Sequence, residues 1–178
     1  MNVFPPAVLV LNLIGSPSGQ LDFNSSLDSA RDAFEAGDLS AAIRFLDYAR
    51  QVAQGTELEQ FLPKPQSAWR REIVAYGLPA VWSSMYSGVN GSAVKAEYLA
   101  DGTQIEITLI SEQLMLNGLM LPFDGSATIG GQMFMQVEGE DLLHARIGRV
   151  IVWITGTATM ADKTALIEQM DFQALEAY

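Results

Sequence analysis

The sequence contains no cysteine and only one histidine, His144. The lack of cysteine excludes disulfides, thiolate metal sites and thiol nucleophiles. Any histidine-based triad, acid–base pair or metal site would have to use His144, and we expect it on a solvent-exposed strand face beside Arg146. Neither a nucleophile-elbow motif, a phosphate loop nor a dinucleotide fingerprint occurs. The sequence therefore predicts no catalytic residues, and we do not expect an enzyme.

Positive charge is scarce as well. Ten Lys and Arg residues stand against 21 Asp and Glu residues, which gives a formal net charge of −11. Arg70 and Arg71 are the only adjacent basic pair. Nucleic-acid binding depends on basic side chains that displace condensed counterions, so we expect no nucleic-acid partner. With 178 residues, 49% of them hydrophobic and 17% charged, the composition is that of a globular protein with a normal core.

No apolar run reaches the roughly 20 residues that a membrane-spanning helix needs. The longest apolar run lies in residues 3–14 and is followed by Gly15-Ser-Pro-Ser-Gly-Gln. It is similar to the apolar centre and small-residue exit of a secretory signal, but no basic residue precedes it and Pro5-Pro6 disfavours a helix. Residues 1–21 are therefore either a signal-like segment or an apolar arm of the fold, with membrane contact possible through residues 3–14.

Residues 22–62 are predicted to form a helical hairpin. Ser26 is a candidate N-cap of the first helix, and Gly37 suits the left-handed position after its end. Asp38 or Ser40 can cap the second helix, and the short connection indicates that the two helices are antiparallel. Residues 63–92 follow as an irregular linker region with a strand near Glu72–Ala75.

Residues 93–178 are predicted to form an antiparallel β domain with helices. Asp101-Gly102 between two alternating runs is the strongest short signal for a hairpin. Residues 114–121 indicate a short buried helix, and Val150–Thr155, apolar on both faces, indicates a central strand. Thr159 and Asp162 are typical of a capping box before a closing helix. The fold class is α+β, in the order β-β-α-β-β-β-β-α after the hairpin, with helices on one face.

Two resemblances follow from these patterns. The small and apolar residues of the hairpin, with Gly37-Asp38 at its turn, make residues 27–53 similar to a single tetratricopeptide-like hairpin. The Asp101-Gly102 turn, the Trp153 strand and the ending Met170–Leu175 resemble uncharacterised bacterial exported proteins that join a helical hairpin to a compact β-rich domain. That second resemblance implies a periplasmic or otherwise exported protein, although a cytoplasmic location stays open.

The hairpin supplies the first candidate site. A single repeat unit lacks the stacked neighbours that would cover its outer apolar groups, so Phe34, Phe45 and Tyr48 are predicted to contact a protein partner. The favoured function is a non-enzymatic binding or assembly module, an accessory protein of a bacterial envelope complex.

The methionines suggest an alternative function. Met115, Leu119, Met133 and Met135 are predicted to line a cavity in a carrier of an apolar small molecule, although core packing is the commoner role of methionine. A more specific form of this hypothesis is a copper(I) site formed by the thioethers. It is disfavoured because the sequence shows neither a Met-rich tract nor a histidine beside these residues. We therefore expect no metal and no cofactor.

Overall fold

The computed structural model describes residues 23–65, 68–76, 92–111, 123–137 and 141–178. Its elements, in chain order, are α1 Phe23–Glu35, α2 Leu39–Glu59, β1 Arg70–Tyr76, β2 Ser92–Ala100, β3 Thr103–Ser111, β4 Phe123–Ile129, β5 Gln132–Val137, β6 Leu143–Ile147, β7 Val150–Thr155, α3 Met160–Ile167 and α4 Phe172–Ala177. A helical pair, a seven-stranded antiparallel sheet and C-terminal helices confirm the α+β class. None of the described helices is long and apolar enough to cross a membrane.

The helices α1 and α2 form the expected antiparallel hairpin. Gly37 takes the left-handed conformation, with φ +80°, and the Asp38 side chain accepts a hydrogen bond of 2.9 Å from the Ala41 amide as N-cap of α2. Ala30, Ala42 and Ala49 are buried, as small residues at a close helix seam must be. The Ser26 prediction is wrong, because α1 begins at Phe23 and Ser26 lies inside the helix, fully buried.

The seven strands lie in the order β1-β2-β3-β7-β6-β5-β4, with every neighbouring pair antiparallel. The β2–β3 turn confirms the predicted tight hairpin: Ala100 pairs with Thr103, and Asp101 and Gly102 have φ of 44° and 80°. Two positive φ angles are what a two-residue hairpin turn of matching twist requires. Strand β7 is central, as its apolar residues predict.

One face of the sheet carries the main core. Alternate residues of the strands meet side chains from the end of α2 and from the two C-terminal helices. These residues are Leu58 of α2, Phe61 and Leu62 just after it, Leu166 and Ile167 of α3, Met170 between the two C-terminal helices, and Phe172 and Leu175 of α4. The prediction of helices on one face is therefore confirmed for α2, α3 and α4. The opposite face carries a smaller buried cluster of Ala93, Ile110 and Ile151, which includes no helix residue.

Three predicted segments need comment. The strand expected near Glu72–Ala75 is present as β1, which is longer and pairs with β2, so the region between the hairpin and residue 93 supplies an edge strand. The single closing helix is two helices, α3 and α4, and the Thr159 hydroxyl caps α3 by accepting from the Asp162 amide at 3.2 Å. The helix expected over residues 114–121 and the segment 1–21 lie outside the described residues.

The hairpin joins the sheet through the last turns of α2. A Cβ on Gly55 would lie 2.6 Å from Tyr76 Cδ1 and 2.8 Å from the Ala93 carbonyl oxygen, so glycine allows this close approach. One turn later, Glu59 accepts a hydrogen bond of 3.0 Å from the Tyr76 hydroxyl and pairs with Arg71 at 3.4 Å. The helix α1 packs mainly against α2, with few or no contacts to the described strands.

Candidate functional site

Exposed apolar side chains concentrate on the helical hairpin. The described residues include eight large apolar side chains that are exposed, and six of them belong to α1 and α2. We call these six residues the hairpin face: Phe23, Leu27, Phe34, Leu39, Ile43 and Leu46. Phe34 is 64% exposed and Ile43 is 60% exposed, values that are unusual for side chains of this size.

The six residues lie on one side of the hairpin. An α-helix turns by about 100° per residue, so Leu27 and Phe34 lie roughly 40–60° around α1 from the buried Ala30. Leu46 and Ile43 lie roughly 40–100° around α2 from the buried Ala42, in the same rotational sense. In an antiparallel pair, positions displaced from the seam in the same sense fall on the same side. The two stripes therefore form one continuous apolar surface beside the seam.

Two arginines near the hairpin face are paired within their own helices. Arg31 contacts Asp28 at 3.1 Å, one turn away on α1. Arg50 lies 3.9 Å from Asp47 and donates a hydrogen bond of 2.9 Å to Gln54 on α2. These exposed pairs contribute little stability, but they give both arginines an acidic partner.

The three residues predicted to bind a partner do not lie together. Phe34 belongs to the hairpin face, whereas Phe45 and Tyr48 are half-buried and their spacing from Ala42 places them on the other side of the seam. Burial raises the pKa of Tyr48. The other five residues of the hairpin face were not predicted, because apolar spacing along a helix does not distinguish an exposed position from a buried one. One signal was available, since small residues such as Ala30 and Ala42 fill the seam between α1 and α2 and leave larger apolar residues outside it.

Two of the four residues predicted to line a cavity can be placed. Met133 is 66% exposed, so it lies on the protein surface. Met135 is half-buried on the same face of β5, while Phe134 between them points into the main core. Met115 and Leu119 lie outside the described residues. The apolar-ligand carrier stays a prediction.

The prediction that His144 is exposed is wrong. Only 7% of this residue is accessible, and the Trp153 ring packs against it in a T-shaped arrangement at a centroid distance of 6.2 Å. Burial lowers the pKa of His144, which favours the neutral imidazole. Its paired residues in the two neighbouring strands are Met135 and Trp153.

The remaining described surface offers little chemistry. A hollow of about 410 Å³ lies beside the β2–β3 turn, lined by residues 99–104 and Thr157, and is open to solvent. Within the described ranges, no group of three or more His, Asp or Glu side chains could hold a metal ion. No protein-family model, curated protein or solved structure matches the chain.

Proposed function

We propose that the protein is a non-enzymatic binding and assembly module, an accessory protein of a bacterial envelope complex, whose hairpin face binds a helix of a partner protein. The observation that carries the proposal is the concentration of six exposed apolar side chains on one side of α1 and α2. Contiguous apolar surface of this kind is costly to leave in water and commonly marks a protein contact.

The size of the hairpin face suits a modest interface. Six large apolar side chains, each about half exposed, present roughly 500 Å² of apolar surface. An occupant of matching size would bring the total buried area to about 1,000 Å², near the lower bound for specific protein interfaces. Phe34, the most exposed aromatic residue of the face, is the best candidate for the dominant contact.

The chemistry of the hairpin face favours an apolar helix as its occupant. Leu39, Ile43 and Leu46 repeat at the i, i+4, i+7 spacing at which one helix packs against another. Arg31 and Arg50 at the border already have acidic partners, so a charged ligand gains little there. A net charge of −11 opposes both nucleic acid and anionic lipid surfaces. The envelope location is supported by the resemblance of residues 27–178 alone.

Site-specific photo-crosslinking tests the proposal. A photoreactive phenylalanine analogue is placed at Ile43 or at Leu46, with Arg44, which is exposed on the opposite side of α2, as the matched control. We expect one discrete protein product from the first two positions and none from Arg44. The crosslinked peptide should be an amphipathic helix. As a synthetic peptide it should bind the purified protein, with at least a tenfold loss of affinity in Ile43→Asp.

Ile43→Asp should leave the free energy of unfolding nearly unchanged, because Ile43 is 60% exposed. Crosslinks between two copies of this chain, together with a dimer in sedimentation of the purified protein, would show that the hairpin face binds a second copy. That result would contradict the proposal of a separate partner protein. Equal products from all three positions, or lipid products alone, would reject the proposal.

A further inference from the structure

The sheet brings two methionines, the single histidine and a tryptophan onto one surface. Phe134, Ala145 and Val152 belong to the main core, so their chain neighbours Met133, Met135, His144 and Trp153 lie on the opposite face of the sheet. Met135 pairs directly with His144, and His144 pairs directly with Trp153. Directly opposed residues of antiparallel strands have Cβ atoms about 4.5–5.5 Å apart, within reach of each other's side chains.

The strand pairing places a histidine beside the methionines, which the order of residues in the sequence does not show. The case against a copper(I) site was that no histidine lies beside the methionines along the chain. The β5–β6 pairing places His144 next to Met135, and Met133 is two residues away on the same face of β5. Two thioethers and one imidazole are soft or intermediate donors that select Cu(I) over hard cations.

The surrounding residues strengthen this selectivity. The cross-strand row through these residues continues to Ser126 on one side and Thr108 on the other, so within the described strands no carboxylate lies in the row between them. Hard divalent ions such as Mg²⁺ and Ca²⁺ require oxygen ligands, mainly carboxylates. The Trp153 ring lies at 75° to the His144 ring, and an indole face attracts a nearby cation.

The three donor residues differ in exposure to solvent. His144 is 7% exposed, Met135 is half-buried and Met133 is 66% exposed. The exposed Met133 thioether lies where an ion arriving from solvent meets the protein first.

We propose that Met133, Met135 and His144 bind one Cu(I) ion on the face of the sheet opposite the main core, with Trp153 beside the ion. The site is separate from the hairpin face and does not depend on the function proposed for it. Cu(I) binds as supplied and no electron is transferred. Ag(I), which has the same charge and donor preference and no redox chemistry in water, serves as the probe.

Ag(I) is titrated into the full chain while the methionine methyl groups are followed by ¹³C NMR and the Cu(I) affinity is measured anaerobically by competition with bicinchoninate. We expect saturation at one equivalent, with shifts of the Met133 and Met135 methyl signals. Met160, which is 36% exposed at the start of α3, supplies an internal control whose methyl signal should not move. Tryptophan emission should be quenched, and Trp153→Phe should remove most of that quenching.

Variants assign the donors. Met135→Leu and His144→Gln should each weaken Cu(I) binding at least tenfold, whereas Met160→Leu should leave it unchanged. Circular dichroism checks that each variant is folded, and the methyl shifts of the unaltered protein decide the matter if a variant is not. Stationary Met133 and Met135 signals at one equivalent of Ag(I), or equal losses of affinity in Met135→Leu and Met160→Leu, would overturn the proposal.

Discussion

Gly55→Ala tests whether the close approach of α2 to the sheet is a requirement of the fold. Helix propensity alone favours the substitution, because alanine is about 1 kcal/mol better than glycine inside a helix. The surroundings oppose it. The added Cβ would lie 2.6 Å from Tyr76 Cδ1 and 2.8 Å from the Ala93 carbonyl oxygen, both far inside normal contact distance.

Neither neighbour can move cheaply. The Tyr76 hydroxyl donates a hydrogen bond of 3.0 Å to Glu59, and a rotation of the ring would break it, at a net cost of about 1 kcal/mol. The Ala93 carbonyl belongs to β2, which is paired on both sides. Overpacking of this kind costs about 1–3 kcal/mol. After the gain in propensity, we expect Gly55→Ala to lower the free energy of unfolding by about 1–2 kcal/mol.

The assay is urea unfolding at 25 °C together with the thermal midpoint, which should fall by roughly 2–8 °C for a chain of this size. Ala53→Gly, at an exposed position of the same helix, is the matched control and should cost about 1 kcal/mol through propensity alone. Propensity by itself predicts opposite signs for the two substitutions, whereas the structure predicts that both destabilise. If Gly55→Ala raises the midpoint, the close packing of α2 on the sheet is refuted.

Three further expectations follow from single residues. Gly102→Val should lower the free energy of unfolding by more than about 1 kcal/mol, because φ is +80° there while no neighbour would touch an added Cβ; an unchanged urea midpoint would contradict it. Asp141→Asn should lower the free energy of unfolding by about 1–2 kcal/mol, measured with urea, since the fully buried Lys163 contacts the Asp141 carboxylate at 2.7 Å. Lys163→Met should lower it by less, because that substitution removes the buried charge itself. The folded pKa of His144 is lower than its unfolded value near 6.5, so the folded state binds fewer protons and stability should fall as the pH drops through 6.5. His144→Gln should flatten this part of the plot of urea midpoint against pH, and an unchanged slope would argue against the burial of His144.

Local signals predicted most of the fold. Asp101-Gly102, Gly37-Asp38 and Thr159 each specify a turn or cap through their own backbone and side-chain chemistry, and the structure places them as expected. The apolar residues of β7 correctly predicted a central strand. Ser26 failed as an N-cap because the helix extends one turn further, which no nearby residue signals.

The candidate sites were harder to predict because they depend on relations between distant segments. The apolar pattern in the sequence does not show whether a residue packs in the seam, as Ala42 does, or faces water, as Ile43 does. The burial of His144 and its place between Met135 and Trp153 follow from strand order and register, which the chain does not display locally. Exposure and cross-strand neighbours are tertiary properties, so they could not be predicted from local sequence patterns.

The strand order also has a consequence for the folding rate. Every neighbouring pair in the sheet joins strands that are consecutive in the chain, except β3 with β7. That pair runs from Glu106 opposite Thr155 to Ser111 opposite Val150, so its formation closes a loop of roughly 40 residues at an entropic cost of about 3 kcal/mol. We expect two locally connected halves to form early and to join late along this single line of contact. Substitutions within β4 and β5 should then slow folding, whereas substitutions that weaken only the β3–β7 contact should mainly speed unfolding.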